Sequence, residues 1–508
     1  MNPSTVLATT IVDAMVAAGV REVVLCPGSR SSALAYAVSA AERAGDLRLH
    51  VRVDERSAGF LALGLAKVSR VPAVVITTSG TAVANLHPAV LEAHHARVPL
   101  IVLSADRPAE LRGSGANQTT VQPGIFAGAV RDEADLSPDL ATAEVADVVG
   151  RMVSDARCRV AGPVHLNVQF REPLVPDLDT AHVRHTDAPG ATTLSDVAAA
   201  GELDQTFRAD KGPAFGAGAI PTPTPRDHLP VLPVLPVLPG LPGLPGRTLV
   251  VLGDVPTLDD ARAVLDWADT QSLPVIAEPF GPHPRPGAVP HGVLVAGTEE
   301  FVAAHEPEAI VLVGRPTLSR PVSRLIRRTG ADLVIVDAGL ELEVPGRDST
   351  RLDLTALLAA QVRGRDETWQ SAWLEAGERV ATAVDEAPPA WGTGPALART
   401  LVTDIREGSL VFLGSSNTPR DLDIAATVTR GIDLVASRGL SGIDGCVSTA
   451  VGLALAAPDR PTYAVLGDLT FLHDSGGLLI GPDEPRPDLT IVVANDDGGG
   501  IFTTLEPG

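Results

Sequence analysis

Short runs of Val, Ile and Leu punctuate the chain. Each ends in Gly, Asp, Ser or Asn and leads into an Ala- and Leu-rich stretch of helical character. The first block holds EVVLCPG from Glu22, LHVRVDE from Leu49, AVVITTSG from Ala73, PLIVLSADRP from Pro99 and VHLNV from Val164. The second holds TLVVLGD from Thr248, LPVIAE from Leu273, AIVLVGR from Ala309 and DLVIVDA from Asp332. The third holds SLVFLGSSN from Ser409, IDLVAS from Ile432, TYAVLGD from Thr462 and LTIVVAND from Leu489. Near-continuous apolar strands that alternate with helices read as parallel sheet covered on both faces. The prediction is an α/β protein of three doubly wound parallel-sheet domains, at 1–178, 190–362 and 370–508. Ligands of such sheets sit outside the carboxyl ends of the strands. The polar residues just after each run are therefore the candidates for chemistry.

The spacers support this division. The chain turns polar from Pro176 to Ser195, and a second boundary falls between Arg363 and Trp373. Residues 212–246 read as a Pro-rich insertion in the middle domain. From Leu229 to Gly246 proline recurs at every third position, the period of polyproline II. It reads as an extended surface segment; a docking site for a proline-reading partner finds no second feature to support it.

Length fits the same picture, since 508 residues at about 150 per domain give roughly three domains. Aromatics are 3% of the chain, so the cores must be built from Val, Leu, Ile and Ala. The net charge of −22 excludes a general nucleic-acid binder, which needs basic surface to displace counterions, and disfavours anionic membrane. Lys67 and Lys211 are the only lysines among the 40 basic residues, and neither lies in a G-K-[ST] phosphate loop. Anion recognition must therefore lean on arginine. Cys26, Cys158 and Cys446 are widely spaced and form no C-x-x-C pair, which excludes a disulfide framework or a zinc pattern. The N-terminus lacks a basic n-region and no apolar run reaches a membrane span, so the expected location is the cytoplasm. Gly216–Gly218 follows no strand and is no dinucleotide fingerprint; His94 and His95 have no partner at metal-ligand spacing.

One pair of strand ends carries more specific chemistry. One strand ends in Gly467-Asp468 and a later one in Asn495-Asp496-Asp497-Gly498. The gap is the length of one helix plus one strand, so both ends arrive at the same sheet edge. Two carboxylates and a backbone carbonyl are hard oxygen ligands suited to Mg²⁺, which would hold a diphosphate. Gly498, Gly499 and Gly500 would let the backbone approach closely. On spacing alone, two ordinary acidic turns explain the pair equally well. In the first block, Glu55 ends one apolar run and opens a helix. Taken alone it reads as a helix N-terminal acid suited to the macrodipole.

The Gly467-Asp468 and Asn495-Asp496 pair resembles the cofactor motif of thiamine diphosphate-dependent enzymes. The resemblance implies Mg²⁺ (or Mn²⁺) ligation by Asp468, Asp496 and the carbonyl of Gly498. Counting strictly from Asp468 would select Asn495 in place of Asp496. It also implies a role for Glu55: set against the aminopyrimidine of the cofactor, it would stabilise the imino tautomer that removes the thiazolium proton, and burial would raise its pKa. Four segments narrow the resemblance: CPGSRSSAL from Cys26, TSGTAVANLHPAVLEA from Thr78, SADRPAELRGSGANQT from Ser104 and SRGLSGIDGCVSTAVG from Ser437. Together they are similar to the SEPHCHC synthases of menaquinone biosynthesis, which join isochorismate to 2-oxoglutarate with loss of CO₂.

By that resemblance Glu55, Ser441, Gly442, Ile443, Gly467, Asp468, Leu469, Asn495, Gly498, Gly499, Ile501 and Phe502 would meet the cofactor. Ile443 would prop it in a bent conformation. Ser29, Arg30, Arg107, Asn117 and Gln118 would line the substrate site in the first domain, with Ser416, Arg420, Arg438 and Leu505 opposite. Guanidinium groups offer the planar fork that multiply anionic substrates need. Core packing explains Ile443, Ile501, Phe502 and Leu505 equally well. The resemblance further implies a homodimer or homotetramer with active sites between subunits. It also implies a helix and strand beyond Gly508, so the last domain is expected to be cut short. The alternatives are another thiamine diphosphate-dependent decarboxylase or carboligase, and an inactive truncated relative.

Overall fold

The computed structural model describes residues 2–158, 160–176, 243–328, 330–337 and 343–503. Leu505 and most of the Pro-rich segment lie outside them.

The described residues contain three sheets. The first is built from β1 (Glu22–Leu25), β2 (Arg48–Val51), β3 (Ala73–Thr77), β4 (Leu100–Asp106), β5 (Glu133–Leu136) and β6 (Val164–Gln169). The second block supplies β7 (Thr248–Leu252), β8 (Val275–Ala277), β9 (Gly281–Pro282), β10 (Ala309–Val313), β11 (Asp332–Asp337) and β12 (Thr350–Asp353). The third supplies β13 (Leu410–Leu413), β14 (Asp433–Ala436), β15 (Thr462–Gly467) and β16 (Leu489–Ala494). The strand orders are β2-β1-β3-β4-β6-β5, β12-β11-β10-β7-β8 and β16-β15-β13-β14-β9. All pairings between named strands are parallel except that of β9, which runs antiparallel to β14 and so carries a piece of the second block into the third sheet. The expected α/β class and parallel sheets are present.

Alternation along the first sheet explains its double cover. Val23, Leu25, Val74, Ile76, Ile101 and Leu103 face one core, with Leu7, Ile11, Leu34 and Phe170. Val24, Val75, Leu100 and Val102 face the other, with Phe60, Leu61, Leu65 and Phe126. Successive side chains on a strand point to opposite faces, so a strand buried on both must be apolar throughout. Each fully buried Val, Leu or Ile contributes about 1.5–3 kcal/mol.

All thirteen apolar runs became strands. The three strands that the pattern missed, β5, β9 and β12, are each the edge of their sheet. Glu-Ala-Asp-Leu of β5 and Thr-Arg-Leu-Asp of β12 are polar because an edge strand has less of its surface covered. The second sheet's core also takes Trp369 and Trp373 from the helix Glu367–Glu386.

The first and third blocks meet through two small-residue helices, Glu55–Ser69 and Cys446–Ala456. A Cβ on Gly64 would lie 2.2 Å from the Thr449 carbonyl oxygen, and one on Gly452 would lie 2.4 Å from that of Leu61. Glycine at both positions lets the backbones touch. At one end of this contact Asp474 accepts from the Ser57 hydroxyl at 3.0 Å and from the Ser448 amide at 2.6 Å.

Candidate active site

The third sheet delivers its polar strand ends to one place. β15 and β16 pair in parallel with Gly467 opposite Ala494, so Asp468 and Asn495 leave the same edge side by side. The chain then turns sharply through three left-handed residues, Asp497 (φ 60°), Gly498 (φ 85°) and Gly499 (φ 75°). The side chain of Asn495 closes this turn by accepting the Asp497 amide at 3.0 Å. A Cβ on Gly498 would stand 4.0 Å from Asp468 Oδ2, and one on Gly500 would stand 2.0 Å from Asp496 Oδ2. Gly500 thus leaves room for the Asp496 carboxylate, while a side chain at Gly498 would meet Asp468 only at ordinary contact distance.

A cleft of about 910 Å³ opens over this edge. Ser416, Arg420, Arg438, Ser441, Ile443, Gly467, Asp468, Leu469, Asn495, Asp496, Gly499, Ile501 and Phe502 all line it. Gly442 lines a smaller neighbouring cavity instead. Phe502 is 69% exposed and Leu469 47%, so core packing does not explain them. With Trp391 they form an apolar rim. The residues fit a diphosphate and its cation: hard oxygen donors on adjacent strand ends, a glycine turn beside them, and apolar side chains across the mouth. Among the described residues no cluster of three or more His, Cys, Asp or Glu could hold a metal, so a cation here would take oxygens from the diphosphate, water or backbone beside the carboxylates.

Two arginines form the back wall. Arg438 is buried at 5% exposure, bonds the Thr317 hydroxyl through Nε and Nη2, and sits 5.2 Å from the centre of the Phe280 ring. Arg420 donates to the Ser416 carbonyl at 2.9 Å, and burial followed by the nearby Arg438 charge lowers its pKa. Sequence reasoning missed Thr317, which reaches this cleft from the second block, and Asp421, also in its lining. Burial pushes the Asp421 carboxyl up to about 6, with Arg420 opposing and Asp496 adding to the rise. Asp421 follows Arg420 directly, so its position in the motif was the available signal.

The first-block candidates gather at the edge of their own sheet. Arg30 follows β1, donates to the Phe170 carbonyl at 3.2 Å, and has its pKa lowered by burial and then by the charge of Arg107. Arg107 follows β4 and donates to Ser79 Oγ at 3.0 Å and the Gln118 carbonyl at 2.7 Å. Gln118 holds a left-handed φ of 55° and returns a bond to the Ser79 carbonyl at 3.1 Å. Ser29 and Asn117 are exposed beside them. Glu55 opens its helix with Asn85 Nδ2 at 3.5 Å from its Oε2. Within one chain Glu55 is only half-buried, so the burial expected for it is not met there.

None of these first-block residues lines the 910 Å³ cleft: among the described residues its lining runs from Thr317 to Phe502. The chain therefore carries two separate candidate half-sites.

The family model of the thiamine pyrophosphate enzyme N-terminal TPP-binding domain matches residues 5–125, which include Glu55 and the Arg30 and Arg107 loops. The chain is also similar along its full length to proteins named 2-succinyl-5-enolpyruvyl-6-hydroxy-3-cyclohexene-1-carboxylate (SEPHCHC) synthase. That of Kineococcus radiotolerans is 45% identical over 523 residues, taking in all of this chain and 85% of the relative. Those of Saccharopolyspora erythraea and Nocardia farcinica are 40% and 43% identical, with all of this chain and 86% of each relative covered. The chain belongs to the SEPHCHC synthase family. As a member it is a thiamine diphosphate-dependent enzyme. In this SEPHCHC synthase family member no described helix is long and apolar enough to cross a membrane.

Proposed function

We propose that the protein joins 2-oxoglutarate to isochorismate with release of CO₂, forming SEPHCHC in menaquinone biosynthesis, on thiamine diphosphate held with Mg²⁺ or Mn²⁺. The observation that carries this reading is the parallel register of β15 and β16, which sets Asp468, Asn495 and Asp496 at the floor of an arginine-walled cleft. Thiamine diphosphate, when bound, supplies the electron sink that lets a 2-oxoacid lose CO₂ and makes its former keto carbon a nucleophile. The walls of the cleft would hold the isochorismate ring for the 1,4-addition of that carbon.

The chain's own residues hold and orient. Asp468, Asp496 and the Gly498 carbonyl would bind the cation, and Asn495, Gly467, Leu469 and Gly499 would border the diphosphate. Ser441, Gly442, Ile443, Ile501 and Phe502 would bracket the rings. Glu55 would hold a proton at the aminopyrimidine nitrogen. Ser29, Arg30, Arg107, Asn117 and Gln118 would fix substrate carboxylates and hydroxyls, facing Ser416, Arg420 and Arg438.

Because one chain keeps its half-sites apart, the reading includes at least a homodimer whose active site pairs the first block of one copy with the third block of another. The domain division at 1–178, 190–362 and 370–508 and a cytoplasmic location belong to the same proposal.

The test incubates the purified protein with Mg²⁺, thiamine diphosphate, 2-oxoglutarate and isochorismate. Loss of isochorismate with CO₂ release, only when the cofactor is present, is the expected result. CO₂ release that needs no isochorismate would favour a simple 2-oxoacid decarboxylase. No cofactor-dependent turnover overturns the reading for this chain.

A further inference from the structure

Glu92 lies on the helix His87–His95 of the first block and is 4% exposed. It commits both carboxylate oxygens to the backbone of the third block. Oε1 accepts the Gly439 amide at 2.8 Å and Oε2 accepts the Leu440 amide at 2.7 Å. The fit allows nothing larger than glycine: a Cβ on Gly439 would stand 2.7 Å from the Glu92 carbonyl oxygen and 2.9 Å from its Oε2. The Gly439 carbonyl is held in turn by Arg315 Nη1 at 2.8 Å. The clamped peptides sit between Arg438 on one side and Ser441 and Ile443 on the other, and all three line the cleft.

We infer that Glu92 is a positioning residue for the cleft: it fixes the Gly439–Leu440 peptides and thereby the spacing between the Arg438 guanidinium and the Ser441–Ile443 wall. This rests on the cleft's being the cofactor and substrate site. Burying a carboxylate is costly unless hydrogen bonds satisfy it, and charge-assisted bonds to amides are the strong kind. Two adjacent amides aimed at one carboxylate also fix a peptide plane, which a single bond does not. The Arg315 bond to the Gly439 carbonyl and the Arg438 side chain on Thr317 add to this hold on the stretch from Arg438 to Gly442. Ser441, with a left-handed φ of 58°, then takes a conformation that a loosened loop would leave. The third-block cleft is in this way set from the first block of the same chain.

Glu92→Gln tests this. The amide replaces one acceptor with a donor, which then faces a backbone N–H. Calorimetry of thiamine diphosphate and Mg²⁺ binding to the folded apo-protein is the primary readout. The expected result is an affinity about tenfold weaker than wild type, about 1.4 kcal/mol. The KM for 2-oxoglutarate should also rise about tenfold, with kcat changed less than about threefold, as expected when a binding group is displaced. Glu92→Asp keeps the charge and shortens the reach, and should recover part of the loss. Folded Glu92→Gln protein with wild-type affinity and KM overturns the proposal. If neither variant folds, Glu92 serves folding alone and the proposal is likewise overturned. A wild type that binds no cofactor overturns the functional reading along with it, whereas a variant indistinguishable from a binding wild type overturns only the role of Glu92.

Discussion

The polar groups around Arg107 at the edge of the first sheet are held by other groups of the chain, whereas the acidic turn at the edge of the third stands beside open space. Asp106 is fully buried: Oδ1 accepts the Arg107 amide at 2.7 Å, and Oδ2 accepts Arg112 at 2.9 Å and Asn167 at 3.0 Å. Asn167 gives its second N–H to Asp135 at 2.8 Å and accepts from Ser104 at 2.9 Å and Gln122 at 2.7 Å. Arg107 is thus presented by a finished network. Asn495, Asp496 and Asp497 are by contrast exposed on a glycine turn, and Asp468 accepts the Leu469 amide at 2.8 Å beside the cleft. A finished network holds its shape without ligand; an open one with like charges gains order when a cation arrives. The first half-site should therefore report on folding and the third on ligand.

The sharpest way to break this comparison is to damage one half-site in each of two chains. Glu55→Gln and Asp468→Asn should each lower turnover by about 10³-fold or more alone. Mixed after co-expression, they should recover about a quarter of wild-type turnover, since half of random dimers would hold one intact site. No recovery would mean that the two half-sites serve the same chain and that the two-copy reading is wrong.

A second prediction concerns the ground behind the cleft. Glu278 is buried, with Oε1 accepting the Leu318 amide and Oε2 without a partner among the described residues. Burial pushes its carboxyl up to about 8, against the Leu318 bond and the Arg438 charge. The folded state therefore keeps the proton that the unfolded chain gives up. Its contribution to stability is complete below the unfolded pKa and is lost as pH rises through the folded one. Glu278→Gln removes this slope. Thermal unfolding should show little difference near about pH 5 and a variant more stable by up to about 4 kcal/mol near about pH 8. A constant difference across that window would show that Glu278 does not titrate there.

The finished network gives a third test. Asn167→Ala leaves Asp106, Asp135, Ser104 and Gln122 short of partners and should cost about 3 kcal/mol in denaturant unfolding. Cofactor affinity should stay within about twofold, because this half-site contributes no cation ligand. A loss of affinity without loss of stability would erase the contrast between the two edges.

Much of this was legible in the chain because double burial writes itself into composition. A central strand such as β4, covered on both faces, must read as Leu-Ile-Val-Leu, and the residues that follow it must be where the sheet opens. The edge strands escaped because β5 and β12 can be polar, and β9 is only Gly-Pro with no side-chain pattern at all. Arg30, Arg107, Arg420 and Arg438 follow strand ends, but it was the family resemblance that singled them out among the arginines. Thr317 and Glu92 were not singled out, because their roles come from packing between blocks: each is an ordinary residue locally, and only the tertiary approach of another block makes it part of the cleft. The separation of Glu55 from the cleft was equally invisible to spacing.

The smallest expected effect decides a question that spacing left open, whether Asn495 or Asp496 serves the cation. Register sets Asn495 directly beside Asp468, which favours it by position. Its Oδ1 is already engaged by the Asp497 amide, however, and that bond closes the turn. Asp496 carries the charge that a divalent cation prefers, and Gly500 leaves the space its carboxylate occupies. Asp496→Asn should therefore weaken Mg²⁺-dependent cofactor binding about tenfold, about 1.4 kcal/mol, by removing a charged ligand. Asn495→Asp should change it less, since the turn can form with either side chain as acceptor. Titrating Mg²⁺ at fixed thiamine diphosphate separates the two. If Asn495→Asp shifts the midpoint more than Asp496→Asn does, the cation lies on Asn495, and Asp496 is a solvated neighbour whose charge only draws the metal in.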